Sequence, residues 1–252
     1  MEILVCIKRV PLVGSTFVLT DDSSEIDTRR IGFTLSPHEE CAVEAAVQLR
    51  DAHGGSVTLL TLGTAETEEQ LREQLAIGAD RAILALTDGT EPDPQATAAA
   101  LLEAIKADGA QFDLVLLGSE SADVAGYQTG IRLAHALGLP VVTGVKGLTI
   151  TDGVARCERA VGSEREVYTT TLPAVITVKD GLNIPRYPSV PGRIKARKKV
   201  ITTHEVTLSE PRIAKERLIV PAAAAKGMKV LEANEQGAAA LVDVFREIGL
   251  LA

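Results

Sequence analysis

The chain has 252 residues, of which 46% are hydrophobic, so it can bury one large core or two small ones and is not a disordered polymer. Its formal net charge of −8 at pH 7 argues against a nucleic-acid-binding protein, because most of its surface would repel phosphate. Three cysteines without metal-ligand spacing suit a reducing compartment, and neither a signal peptide nor a membrane span is predicted. We therefore expect a cytoplasmic protein without membrane insertion.

Strand and helix patterns alternate along the first 140 residues. A branched apolar run at 2–7 predicts a buried strand. Ser36, Pro37 and Glu39 predict a helix start, with Ser36 as N-cap and Glu39 at the capping-box spacing. Beyond this helix the pattern predicts strands at 56–62, 81–86, 113–117 and 141–143, and helices at 66–76, 93–107 and 125–137.

This alternation favours an α/β fold with a doubly wound, mostly parallel sheet and helices on both faces. After Gly147 short strands at 148–151, 154–160, 166–171 and 174–178 are separated by turn residues, which predicts a small antiparallel extension. The remainder is polar and mixed at 201–220, alanine-rich at 222–225 and amphipathic at 238–250. It is too thin for a domain and is expected to form an extended C-terminal arm.

Residues 184–199, IPRYPSVPGRIKARKK, form a segment that we call the basic proline segment. Its prolines restrict the backbone and predict a stiff, extended loop that holds Tyr187 and Val190 outward. Its cations from Arg193 onward suit an acidic protein partner or a phosphate. A solvated basic loop and a nucleic-acid patch are the alternatives.

Ligands of parallel α/β sheets bind beyond the carboxyl ends of the strands, which selects 6–9, 62–65 and 118–129. The last of these, GSESADVAGYQT, lies between a predicted strand and a predicted helix. Its small residues permit close approach, and backbone N–H groups near Gly126, Tyr127, Gln128 and Thr129 would suit a phosphate. It is neither a Walker A loop nor a GxGxxG fingerprint, so an ordinary loop capped by Ser121 or Asp123 is the alternative.

No catalytic constellation is predicted. The four histidines lack metal-ligand spacing, and no serine lies in a GxSxG elbow. We therefore expect neither a catalytic nucleophile or base nor a metal site. The chain also has few aromatic residues with which to stack nucleic-acid bases.

Eight segments resemble, in the order in which they occur, the β subunit of electron transfer flavoproteins. The resemblance covers residues 3 to about 200, and its segments are ILVCIKRVP, SPHEECAVEAAVQLR, LAIGADRAI, DLVLLGSESAD, QTG, LGLP, LPAVITV and PRYPSVPGRIKARKK. It implies a nucleotide-binding fold of the adenine nucleotide alpha hydrolase-like type. It also implies an αβ heterodimer that carries electrons and is not itself an enzyme.

In this family, flavin dehydrogenases such as acyl-CoA dehydrogenases reduce an FAD held mainly by the α subunit, and a quinone-linked oxidoreductase accepts the electrons. The β subunit usually holds a structural AMP, although some relatives bind a second FAD there and bifurcate electrons from NADH. A stand-alone nucleotide-binding protein of the universal-stress type shares the strand pattern and is the alternative from another class.

The resemblance also implies site residues and domain bounds. The AMP pocket would be lined by Cys6, Ser36, Pro37, His38, Glu39, Leu62, Gly118, Ser119, Glu120, Ser121, Ala122, Asp123, Gly126, Tyr127, Gln128 and Thr129. Dehydrogenases would dock, with Val190 as the apolar anchor, on Pro185, Arg186, Tyr187, Val190, Pro191, Ile194, Lys195 and Lys198. The domains would be a nucleotide-binding domain at 1–182, a recognition loop at 183–200 and an arm at 201–252 that packs on the α subunit. The chain departs from the family in having Asp123, Val124 and Ala125 where many members have an acidic run.

Overall fold

The computed structural model of the protein describes residues 1–12, 14, 18–220 and 230–251. The chain divides into two compact units, Met1–Arg217 and Leu218–Ala252. Residues 183–217 belong to the first unit, and the domain bounds at 182 and 200 stay a prediction. Packing of the arm on an α subunit stays a prediction.

The strands are β1 (Glu2–Ile7), β2 (Val10–Pro11), β3 (Phe33–Thr34), β4 (Ser56–Gly63), β5 (Arg81–Leu86), β6 (Leu114–Gly118), β7 (Val141–Thr151), β8 (Val154–Val161), β9 (Glu164–Thr171), β10 (Ala174–Val178) and β11 (Ile201–Glu205). The helices are α1 (Pro37–His53), α2 (Glu68–Ile77), α3 (Pro94–Asp108), α4 (Thr129–Leu137), α5 (Val190–Ala196) and α6 (Glu235–Glu247). A 3₁₀ turn at Ala65–Thr67 precedes α2.

The predicted fold class is confirmed. A nine-stranded sheet has the order β11-β5-β4-β1-β6-β10-β7-β8-β9, parallel from β11 to β7 and antiparallel from β7 to β9. Strands β2 and β3 form a separate antiparallel pair.

Side chains of β1 alternate between two apolar clusters on opposite faces of the sheet. Ile3 and Val5 belong to a cluster that includes residues of α1 and α2. Leu4 and Cys6 belong to a second cluster, which includes residues of α3 and α4. The sheet is therefore covered on both faces, as expected of a doubly wound fold.

Three strand predictions were wrong. Residues 174–178, predicted within the antiparallel extension, form β10, which lies parallel between β6 and β7. The two strands predicted at 141–143 and 148–151 are one strand, β7, because it pairs with β10 in its first part and with β8 in its second part, across an irregularity between Val145 and Gly147. Residues 201–205, predicted as part of a polar arm, form the edge strand β11. Hydrogen bonding to β5 forms this strand, whereas its half-exposed side chains leave no apolar run in the sequence.

The basic proline segment is only partly the extended loop that its prolines predict, because Val190–Ala196 form α5. Ser189 caps this helix by accepting a hydrogen bond from the Gly192 N–H at 3.1 Å. Pro191 lies in the first turn, where a missing N–H costs no hydrogen bond, so this proline permits the helix.

The second unit contains α6, which begins after Asn234. The Asn234 side chain accepts a hydrogen bond from the Gly237 N–H at 2.9 Å and caps the helix. The observed helix starts and ends three residues before the one predicted at 238–250. The predicted alanine-rich stretch at 222–225 lies outside the described residues. Among the helices of the described ranges, none is long and apolar enough to cross a membrane.

Candidate functional site

The strand order places a topological switch point between β1 and β6. From β1 the chain adds β4 and β5 on one side of the sheet, and then crosses to β6 on the other side. Ligands of such sheets bind beyond the carboxyl ends of the strands at this crossing. The last residue of β6 and the loop that follows it, residues 118–128, lie there and are together called the switch-point loop below.

The start of α1 packs against the switch-point loop. The Ser36 hydroxyl accepts a hydrogen bond from the Ala122 N–H at 2.9 Å, and the Glu39 carboxylate accepts one from the Ser36 N–H at 3.1 Å. A Cβ at Gly118 would lie 2.9 Å from Cγ of Glu39 and 3.1 Å from Cβ of His38. Only glycine permits this approach, so the capping box of α1 packs directly against the switch-point loop.

Two buried ionisable groups lie near this contact. Burial raises the pKa of Glu39 to about 8, although hydrogen bonds from Ser36 and the charge of Lys8 act in the opposite direction. Burial, followed by the Glu39 charge, raises the pKa of the Cys6 thiol to about 12. Cys6 belongs to the apolar cluster beneath the site, so its thiol stays protonated and unreactive at neutral pH.

An ion pair neutralises the carboxylate at the centre of the loop. Lys8 Nζ lies 2.6 Å from Asp123 Oδ2 and 3.3 Å from Glu91 Oε1, and Glu91 is also 3.0 Å from Lys215. Burial acts to raise the pKa of Asp123, but the charge and hydrogen bond of Lys8 outweigh it and lower this pKa overall. The loop therefore presents less negative charge than its sequence suggests.

His38 lies between carboxylates that come from two strand ends. Its Nε2 is 3.2 Å from Asp180 Oδ1, after β10, and 4.0 Å from Glu120 Oε1, after β6. Its Nδ1 is buried and has no hydrogen-bond partner among the described residues. This ring nitrogen can bond to a group beyond the described side chains.

The helix after the switch-point loop begins later than predicted, at Thr129 and not at 125. Ala125 and Tyr127 have φ values of +50° and +54°, which interrupt helical geometry, and Ala125 donates a hydrogen bond to the Ser121 carbonyl at 2.9 Å. Left-handed Tyr127 precedes right-handed Gln128, an alternation that points successive N–H groups to one side.

The first turn of α4 offers unpaired donors. Within the described part of the chain, the N–H groups of Thr129, Gly130 and Ile131 have no acceptor, and no side chain caps the helix. The Gln128 side chain is held by Arg132, with Oε1 3.1 Å from Nε and 2.9 Å from Nη2. Such a turn binds anions, because its free N–H groups and the helix dipole both favour negative charge.

Close packing fixes α4 against the sheet. A Cβ at Gly130 would overlap Cγ2 of Thr177 in β10. The Thr177 hydroxyl lies 3.0 Å from Ser119 Oγ and accepts a hydrogen bond from the Gly144 N–H at 3.2 Å. The approach of Gly130 to Thr177 therefore sets the distance between α4 and β10, and hydrogen bonds hold Thr177 in place.

Most of the predicted pocket residues meet at this site, but not all contribute in the same way. Cys6 lies in the core, and Leu62 packs against the same cluster from the end of β4. Pro37 occupies the first turn of α1. The strand-end rule selected Lys8 within 6–9 but gave it no role, and Asp180 was missed, although it follows the carboxyl end of the strand predicted at 174–178 and the same rule could have found it.

The basic proline segment presents apolar side chains to solvent. The exposed fractions are 95% for Tyr187, 71% for Val190 and 59% for Ile194. Arg186 instead points inward, with Nε 2.8 Å from Oε2 and Nη2 2.8 Å from Oε1 of Glu44 in α1. Arg186 is one of the residues predicted to contact a partner, and in this structure its side chain holds the segment against α1.

The switch-point loop and the basic proline segment both lie within a match to a known protein family. A family described as electron transfer flavoprotein domain matches residues 24–209. The electron transfer flavoprotein subunit beta of Bacillus subtilis is 37% identical over 213 residues, 82% of this chain and 79% of the relative. The protein of the same name from Syntrophomonas wolfei is 33% identical over 244 residues, 96% of this chain and 95% of the relative. That of Mycobacterium tuberculosis H37Rv is 36% identical over 216 residues, covering 83% and 80%.

Proposed function

Since the chain belongs to the electron transfer flavoprotein family, we propose that it is the β subunit of a heterodimeric electron carrier. Its partner is an α subunit that holds most of one FAD. Flavin dehydrogenases, such as acyl-CoA dehydrogenases, reduce this flavin, and a quinone-linked oxidoreductase accepts the electrons. The chain itself contributes binding surfaces and no catalytic nucleophile or base.

The switch-point loop and the start of α4 hold an adenine nucleotide, AMP, in this proposal. The observation that carries it is the set of unpaired N–H groups at Thr129, Gly130 and Ile131 at the sheet's switch point. Buried Nδ1 of His38 is a further polar atom that such a ligand can satisfy. The residues present therefore fit a phosphate with an attached polar group, and AMP bound there is structural.

The charges around the loop are compatible with a phosphate. Asp123 would repel it, but Lys8 pairs with this carboxylate at 2.6 Å. Interaction with Glu120 raises the pKa of Tyr127. The Asp123 carboxylate thus has a donor of its own.

The basic proline segment is the docking surface for dehydrogenases. Tyr187, Val190 and Ile194 supply an exposed apolar centre, and Lys195 and Lys198 supply nearby positive charge. Anchors of this kind dominate binding energy, while charges at the rim mainly steer association. Val190 is the central anchor in this arrangement.

The test is to purify the chain with its natural partner and to identify every nucleotide released on denaturation. One FAD and one AMP per heterodimer are expected. Two FAD molecules and no AMP would favour the variant that bifurcates electrons. A flavin-free monomer that retains a nucleotide would favour a stand-alone nucleotide-binding protein, and a flavin-free monomer without a nucleotide would contradict both parts of the proposal.

A further inference from the structure

The first half of the basic proline segment is clamped to α1 by a buried carboxylate. The Glu44 side chain is 3% exposed and accepts three hydrogen bonds from Arg186, two from the guanidinium at 2.8 Å each and one from the backbone N–H at 3.2 Å. Asn183 adds a hydrogen bond from its side-chain amide to the Cys41 carbonyl at 2.9 Å. The backbone that leads to Tyr187 is therefore fixed on α1.

The second half is clamped to α2. Arg72 Nη1 donates to the carbonyls of Ala196 at 2.9 Å and Lys199 at 2.7 Å, at the C-terminal end of α5. Lys199 in turn donates to the carbonyl of Leu75 at 3.0 Å and to that of Ala79, at the end of α2. The carbonyls at the C-terminal end of α5 thus accept hydrogen bonds from Arg72 of α2, and those at the C-terminal end of α2 accept them from Lys199, which lies just after α5. Both cations satisfy terminal carbonyls and complement the helix dipoles.

Close backbone packing supports this second clamp. A Cβ at Gly192 would lie 2.6 Å from the Ala76 carbonyl oxygen, so only glycine allows α5 to lie this near to α2. Ala196 is 2% exposed on the inner side of α5. The inner side of the segment is therefore packed against α2. The side chains of Tyr187, Val190 and Ile194, which also belong to the segment, remain largely exposed to solvent.

We propose that Glu44 and Arg72 are positioning residues for dehydrogenase docking, which hold the basic proline segment in the conformation that the partner binds. This inference rests on the proposed function of the segment. Glu44 is too buried to reach a partner, so it acts through Arg186. A surface that is already ordered loses less conformational entropy on binding, so loss of a clamp weakens docking and leaves the electron-transfer step itself unchanged.

The test compares Glu44→Gln and Arg72→Gln with the unmodified heterodimer. Hydrogen exchange of the backbone amides at 184–199 should become about tenfold faster, because opening of the segment costs less free energy. With a medium-chain acyl-CoA dehydrogenase as the electron donor, its KM for the heterodimer should rise about tenfold and kcat should change less than about twofold. FAD content should stay the same.

Asp108→Asn is the matched control. Asp108, with a side chain 8% exposed, forms a comparable two-pronged pair with Arg81, at 2.7 and 2.8 Å, on another part of the first unit. This variant should lower the melting temperature and leave both the KM and the exchange at 184–199 unchanged. An equal rise in KM for this control would overturn the inference, because it would reduce the effect to general stability.

A second variant covers failure of Glu44→Gln to fold. Glu44→Met together with Arg186→Met removes both charges, so no buried charge is left without a partner. Unchanged exchange at 184–199 in the soluble variant would overturn the inference. If Val190→Ala raises KM and the clamp variants do not, only the inference fails. If Val190→Ala also leaves KM unchanged, the docking function of the segment fails, and the inference fails with it.

Discussion

The hydroxyl of Ser36 accepts a hydrogen bond from the backbone N–H of Ala122 at 2.9 Å, across 86 residues of chain. The N-cap residue of α1 therefore also holds the middle of the switch-point loop. A local capping signal and a long-range contact use the same side chain, so one substitution affects both.

Ser36→Ala should weaken nucleotide retention. It removes the acceptor of the Ala122 N–H and the cap of α1, at a cost of about 1 kcal/mol for each lost interaction. AMP per heterodimer after gel filtration is the measurement. Ser189→Ala, which removes the cap of α5, should retain AMP in full, and equal retention by both variants would contradict the role of Ser36.

Gly130→Ala should destabilise the protein and lower its nucleotide content. The new methyl group would overlap Cγ2 of Thr177, which is 4% exposed and whose hydroxyl is held by two hydrogen bonds. Such overpacking costs about 1–3 kcal/mol, readable as a lower melting temperature. At Gly126 a Cβ would approach nothing closer than 3.6 Å, so Gly126→Ala is the control and should melt like the unmodified protein.

Val190→Ala should slow reduction of the heterodimer by its dehydrogenase. Truncating an exposed anchor typically costs about 2 kcal/mol at a binding hot spot, and FAD should be retained because the residue lies outside the nucleotide site. Stopped-flow reduction at low dehydrogenase concentration measures the effect. Val161→Ala changes another exposed valine, on β8, and should leave the rate unaltered. Equal rates for all three proteins would show that Val190 is not an anchor.

Glu39→Gln should remove a pH dependence of stability. The pKa of Glu39 is raised from 4.5 to about 8 in the folded protein, so the folded state holds a proton that the unfolded state has lost between these pH values. The free energy of unfolding of the unmodified protein therefore falls as pH rises from about 4.5 to 8, by an amount on the order of 5 kcal/mol, and levels off above pH 8.

The glutamine variant keeps the acceptor for the Ser36 N–H and carries no charge. The stability of this variant should thus exceed that of the unmodified heterodimer most at and above pH 8, and the difference in stability should vanish near pH 4.5. Melting temperatures across this range provide the measurement, with the exposed Glu103→Gln on α3 as control. Parallel curves for the two glutamine variants would argue against burial of a neutral Glu39.

Local sequence patterns are sufficient to predict most of the helices and strands. The start of α1 follows from Ser36, Pro37 and Glu39, because a cap needs only residues within one turn. The parallel strands follow from short branched apolar runs, because both of their faces are buried. Strand-end positions then predict the switch-point loop before any coordinate is known.

Features that depend on distant partners escape such patterns. β11 is a strand because it pairs with the backbone of β5 at the edge of the sheet. Its own sequence does not predict a strand, because its side chains are mostly polar and form no apolar run. α4 starts at Thr129 because Ala125 and Tyr127 take left-handed conformations that neither residue type predicts.

The sequence by itself therefore determined the α/β class, the family and the two regions where ligands and partners are expected. Only the tertiary structure decided that Arg186 faces Glu44, 142 residues away, while Val190 faces solvent. The reason is physical: local propensity depends on neighbours along the chain, whereas the direction of a charged side chain depends on which buried partner folding brings within hydrogen-bond distance.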